Sequence, residues 1–62
     1  MIGKKIKQLR EKQGLSQDEL AEKSGVSRMT ITYLETGATK DVKLGTLNKI
    51  AVGLDVDLKD FM

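Results

Sequence analysis

Three short stretches, LSQDEL, VSRMTI and VDLKDF, share one arrangement. In each, a side chain that accepts hydrogen bonds (Ser16, Ser27 or Asp57) has an apolar residue just before it and another four positions after it. A short polar side chain at an N-cap accepts a hydrogen bond from an unpaired first-turn N–H, while the apolar pair closes over the helix start. The pairs are Leu15 with Leu20, Val26 with Ile31, and Val56 with Phe61, and Glu19 completes a capping box with Ser16. One such arrangement arises easily by chance. Three commit the chain to helices.

The stops agree with the starts. Helix 1 is expected from Ile2 to Gln13, with Ile2, Ile6 and Leu9 on one face and Gly14-Leu15 as a left-handed terminus. Helix 2, Gln17–Ser24, buries Leu20 and Ala21 and ends at Gly25; helix 3, Arg28–Thr36, ends at Gly37. A polar loop, Ala38–Lys43, leads to helix 4, Leu44–Leu54, where Leu44, Leu47, Ile50, Ala51 and Leu54 recur at helical spacing. A last short helix, Leu58–Met62, closes the chain. The run MTITYLE alternates like a β-strand, but a lone strand has no partner here, and its flanking cap and glycine favour a helix.

Size and composition narrow the function. With 62 residues, one domain spanning 1–62 is expected. A domain of this size buries only about 60% of its unfolded surface, so every helix end matters. The absence of cysteine excludes disulfides and thiolate ligands and fits a reducing cytoplasm. The absence of histidine also removes the commonest general base and zinc ligand, so no metal or other cofactor is expected. An enzyme is not expected, because so short a chain leaves little room for a pocket of about 300 Å³ or more. No apolar run approaches the roughly 18 residues of a membrane span, which points to a cytoplasmic location. A membrane-surface role for helix 1 fails because Ile2, Ile6 and Leu9 are the minimum its core side requires.

The net charge is only +2, yet residues 1–15 hold five of the eleven basic side chains: Lys4, Lys5, Lys7, Arg10 and Lys12. Residues 16–26 hold Asp18, Glu19 and Glu22 against Lys23. Such asymmetry fits a solvated surface and equally a basic edge for a polyanion. Helices 2 and 3, joined through Ser24-Gly25-Val26, form a helix-turn-helix. If Ile31 and Leu34 face the core, Met29, Thr32, Tyr33 and Thr36 face away from it. A methionine and a tyrosine then stand where the fold has no use for them.

The stretch LREKQGLSQDELAEKSGVSRMTITYLETG, followed by LGTLNKIAVGLDVDLKDF, resembles the Cro/C1-type (XRE-like) helix-turn-helix family, which includes phage repressors and restriction–modification controller proteins. The resemblance covers nearly the whole chain. It implies a compact five-helix, lambda-repressor-like DNA-binding domain that regulates transcription, and a repressor that binds a palindromic operator as a homodimer. Three positions depart from the pattern: Lys43 replaces a serine-like cap of helix 4, Gly53 sits inside that helix, and Asp55 stands where glycine commonly ends it.

An α-helix fits the major groove, where each base pair shows its own pattern of donors, acceptors and methyl groups. The residues expected to contact bases are Ser27, Arg28, Met29, Thr32 and Tyr33. Arg28 suits a guanine, Met29 and the Thr32 methyl suit a thymine methyl, and Tyr33 suits a base edge or a phosphate; the bland readings are an exposed helix charge for Arg28 and a half-buried packing residue for Tyr33. The resemblance implies phosphate contacts from Arg10, Gln17, Thr36, Lys40 and Lys43, and an ion pair between Arg10 and Glu35 tying helix 1 to helix 3. It further implies a dimer surface from Val42, Leu44, Val56, Leu58 and Met62. RNA polymerase is implied as a partner of Asp18, Glu19 and Glu22, against the simpler reading of a solvated face near a helix N-terminus. The rival function is a DNA-binding antitoxin or protein-interaction module of the same fold.

Overall fold

The computed structural model describes residues 2–38 and 43–61, so Lys40, Val42 and Met62 lie outside the described residues. Among these residues the elements are α1 (Ile2–Lys12), α2 (Gln17–Ser24), α3 (Arg28–Thr36), α4 (Leu44–Leu54) and a 3₁₀ turn (Leu58–Phe61). The fold is all-α, as expected. The expected count of five α-helices becomes four, because the last element is only four residues of 3₁₀. Its start also differs from the expected Asp57 cap: the Asp57 N–H donates to Asp60 Oδ2 at 3.0 Å. A single turn lacks the length for regular i→i−4 bonding and takes the tighter form.

Local chemistry accounts for the helix boundaries. Ser16 Oγ accepts from the Glu19 N–H at 3.0 Å, and Glu19 Oε1 accepts from the Ser16 N–H at 2.9 Å, so both halves of the capping box are made. Ser27 Oγ accepts from the Thr30 N–H at 3.2 Å. Lys43 is the N-cap of α4 without a side-chain cap bond, and Asp55 ends that helix at φ 58°, in the left-handed region. Aspartate tolerates that region better than most non-glycine residues. Helix α1 stops at Lys12, one residue short of expectation. The Gln13 side chain instead donates through Nε2 to the Leu54 carbonyl at 2.6 Å, pairing one of the carbonyls that the end of α4 leaves open.

Helix α2 packs mainly on α4, and α1 on α3. Ile6, Leu20, Ile31, Ile50 and Leu54 are fully buried at the centre, with Val26, Leu34, Leu47, Ala51 and Phe61 around them. Ile2, Leu9, Leu15, Ala21, Val56 and Leu58 pack partly against this cluster. Leu44, in helical register with the core residues of α4 and also expected on a dimer surface, is 64% exposed, and Val52 is 69% exposed. No helix among the described residues is long and apolar enough to cross a membrane.

Gly53 of α4 lies against Ser24 of α2. A Cβ there would lie 2.9 Å from Ser24 Cβ and 3.0 Å from Ser24 Cα, atoms that move only with the α2 backbone. Gly53→Ala improves helix propensity by about 1 kcal/mol, but overpacking of this kind costs about 1–3 kcal/mol, so a net loss is expected. A Cβ at Gly45 meets nothing within 4 Å, and Gly45→Ala should stabilise by up to about 1 kcal/mol. Urea unfolding of both variants checks whether the two signs are opposite.

Candidate nucleic-acid interface

Two left-handed glycines, Gly25 after α2 and Gly37 after α3, mark off the short helix α3. Its inner side carries Ile31 and Leu34 into the core. Its outer side carries Met29, 63% exposed, Tyr33, 45% exposed, and exposed Arg28 and Thr36. Arg28, Met29, Thr32 and Tyr33 line one open cleft of about 420 Å³. Four of the five residues expected to contact bases thus share a single surface feature. The fifth, Ser27, spends its hydroxyl on capping: besides the Thr30 N–H, it lies 2.9 Å from the Thr30 hydroxyl.

A buried polar network holds α3 against α1 and α2. Arg10 Nε donates to Glu35 Oε2 at 2.7 Å, and Nη2 donates to Glu35 Oε1 at 3.0 Å, a bidentate pairing. Arg10 Nη1 donates to the Leu15 carbonyl at 2.7 Å. The side chains of Arg10 and Glu35 are 11% and 2% exposed. All three guanidinium nitrogens are therefore engaged within the domain: the expected ion pair with Glu35 is present, and it turns inward the arginine that was also expected at a phosphate.

Gln17 extends the network. Its Nε2 donates to Glu35 Oε1 at 3.0 Å, and its Oε1 accepts from the Thr32 hydroxyl at 2.9 Å. One side chain on α2 therefore links the carboxylate and the outer face of α3. Burial alone would raise the pKa of Glu35, but the hydrogen bonds from Arg10 and Gln17 outweigh it and hold the carboxyl below its usual value. The Glu19 carboxyl is also held low, by its hydrogen bond from the Ser16 N–H.

The remaining expected contacts are more dispersed. Thr36 Oγ1 donates to the Thr32 carbonyl at 2.9 Å, so its hydroxyl lies back along α3. Lys43 is exposed at the start of α4. Arg28 Nε lies 3.6 Å from Asp18 Oδ1, with both side chains well exposed. This contact between α2 and α3 went unread in the sequence, because nothing local couples positions 18 and 28. Of the expected dimer residues within the description, Leu44 is exposed, and Val56 and Leu58 are half-buried. Val52, which sequence reasoning missed, adds a second exposed apolar side chain to α4. It lies eight positions beyond Leu44, a spacing that returns to a nearby helix face.

The chain matches the Helix-turn-helix family over residues 6–61. It is 38% identical over 58 residues to the HTH-type transcriptional regulator SinR of Bacillus subtilis (strain 168), a match covering 94% of this chain and 52% of that protein. The chain thus spans about half the length of the curated relatives it matches. Among solved structures it is similar to the crystal structure of SinR, the master regulator for biofilm formation, in complex with DNA. That match has a TM-score of 0.93 and 36% identity, and covers 98% of this chain and 97% of the other. It is also similar to the restriction–modification controller protein C.AhdI from Aeromonas hydrophila, with a TM-score of 0.93 and 33% identity, covering 98% of this chain and 91% of the other.

Proposed function

The chain belongs to the Helix-turn-helix family, and from that premise we propose that it binds double-stranded operator DNA and regulates transcription, with α3 in the major groove. The observation that carries this reading is the outer face of α3. Arg28, Met29, Thr32 and Tyr33 line one cleft there, and none of the four belongs to the buried apolar core. The likeness to SinR in complex with DNA supports it.

The protein acts as a homodimer and represses by occupying a palindromic operator in the cytoplasm. Leu44 and Val52, exposed on α4, and the half-buried Val56 and Leu58 supply apolar surface for the second copy. Gln17, Thr36 and Lys43 meet phosphates, and Lys40 is assigned the same role from its position after α3. Arg10 serves as a strut: it holds Glu35, which holds Gln17, which holds Thr32. Ser27 contributes chiefly by capping the reading helix.

Selection from random duplex DNA tests the reading. Two inverted half-sites should emerge, with centres roughly 10 base pairs apart, because two-fold protein symmetry must be matched by the DNA. A single asymmetric box bound by one copy would count against the homodimer. Arg28→Ala should then cost about 1–3 kcal/mol per half-site and relax the preference at one base pair, as expected for loss of a bidentate guanine contact. Equal weakening on operator and random DNA would make Arg28 a phosphate anchor instead.

A further inference from the structure

Two neighbouring residues at the start of α2 reach two positions one turn apart on α3. Gln17 is tied to α3 twice, through the Thr32 hydroxyl at 2.9 Å and Glu35 Oε1 at 3.0 Å. Asp18, the next residue, places Oδ1 3.6 Å from Arg28 Nε. Positions 28 and 32 are neighbours on a helix surface. The bonds of Gln17 therefore hold the first turn of α2 where Asp18 meets Arg28. Arg28 opens α3, where the helix dipole disfavours a cation. The first turn of α3 holds no acid of its own, so the carboxylate facing Arg28 comes from α2.

The approach is through Nε, whereas an end-on bidentate contact to guanine O6 and N7 uses the two terminal nitrogens. Asp18 thus lies along one edge of the guanidinium and leaves the other for a base. A phosphate gains less from the same arginine, because Asp18 offsets part of its charge and repels the phosphate itself. We propose that Asp18 is a positioning residue for Arg28: it turns the terminal nitrogens toward a base and weakens their pull on phosphates. Asp18 thereby raises the preference for operator over random DNA. This inference rests on the DNA-binding reading, with Arg28 as its base-reading arginine, and deepens it by adding a specificity-determining residue on α2.

The test measures affinity for the selected operator and for random duplex DNA at one salt concentration. It compares the native protein with Asp18→Asn, Asp18→Glu, Arg28→Ala and the variant carrying both Asp18→Asn and Arg28→Ala. An exposed ion pair of this kind corresponds to about 1.5- to 5-fold, hence about 2- to 25-fold over two half-sites. Asp18→Asn should shrink the operator-to-random ratio by that factor, chiefly by tightening random DNA. Asp18→Glu, which restores the charge, should recover a larger ratio than Asp18→Asn. With Arg28 already replaced by alanine, Asp18→Asn should no longer change the ratio.

Circular dichroism should show every variant folded, since both side chains are well exposed and neither belongs to the buried core. The proposal is overturned if Asp18→Asn leaves the ratio unchanged or raises it, as a plain surface charge beside DNA would. It is equally overturned if the ratio shrinks as much when Arg28 is absent, or if Arg28→Ala weakens both duplexes alike. In each case tight binding of the operator by the native protein leaves the DNA-binding reading intact. Failure of the native protein to bind any duplex overturns both.

Discussion

Affinity for the operator is expected to fall by about 10³–10⁵ as salt rises from about 50 to 200 mM, for a dimer that meets six to ten phosphates. Each phosphate neutralised by a lysine, arginine or helix-terminal N–H releases condensed counterions, and that release loses its driving force as bulk salt increases. The basic groups available are spread over separate elements: Lys4, Lys5 and Lys7 on α1, Arg28 on α3 and Lys43 before α4, all exposed. Low-salt affinity should thus rest largely on charge, with base contacts supplying the preference among sequences. Titration of a labelled operator at five or six salt concentrations measures the slope. A flat response would sink the DNA-binding reading, because no duplex ligand of this charge density binds a basic surface without displacing ions. Lys43→Ala should flatten the slope by about one unit per phosphate lost, while leaving the preferred sequence unchanged.

Arg10→Ala is expected to destabilise the domain by about 3–5 kcal/mol, the range for breaking a buried ion pair from one side. The Glu35 side chain is 2% exposed and would keep only its hydrogen bond from Gln17. A domain of this length has on the order of 3–9 kcal/mol in all, at roughly 0.05–0.15 kcal/mol per residue. The variant should therefore be largely unfolded or close to it, whereas Lys12→Ala, at an exposed site, should change little. Replacing both Arg10 and Glu35 with apolar residues of similar volume should restore much of the loss, since no uncompensated charge is then left buried. A single-variant cost under about 1 kcal/mol in urea would return the pair to the class of exposed salt bridges.

The same pair sets the sign of the acid response. Glu35 has its pKa depressed in the folded state, by hydrogen bonds that outweigh its burial. Its contribution is complete above the unfolded value, near the usual 4.5, and is lost as pH falls through the lower folded value. Stability measured by thermal melting should decline on that acid limb. Glu35→Gln should flatten it, since the group that takes up the proton is gone.

Helix placement was legible because it is local chemistry. The limits of α2, α3 and α4 were read correctly from Ser16, Ser27, Gly25, Gly37 and helical spacing, features that act within a few residues of themselves. The outward turn of Met29 and Tyr33 was equally readable, because Ile31 and Leu34 fix which side of α3 is buried. The end of the chain was not: a hydrophobic pair around Asp57 cannot tell a 3₁₀ turn from an α-helix when only four residues follow.

What no local rule reaches is which distant groups meet. The approach of Gly53 to Ser24, the bond from Gln13 to the Leu54 carbonyl, and the Gln17 link to Thr32 join residues 15 to 41 positions apart or close a gap between two packed helices. Each exists only once the helices are packed, α2 on α4 for Gly53 and Ser24, α1 on α4 for Gln13, and α2 on α3 for Gln17. The sequence by itself determined the helices and the chemistry offered on each face. Tertiary packing alone decided that Val52 faces out and that the Thr32 hydroxyl is tied to α2, because burial depends on what a neighbouring helix covers.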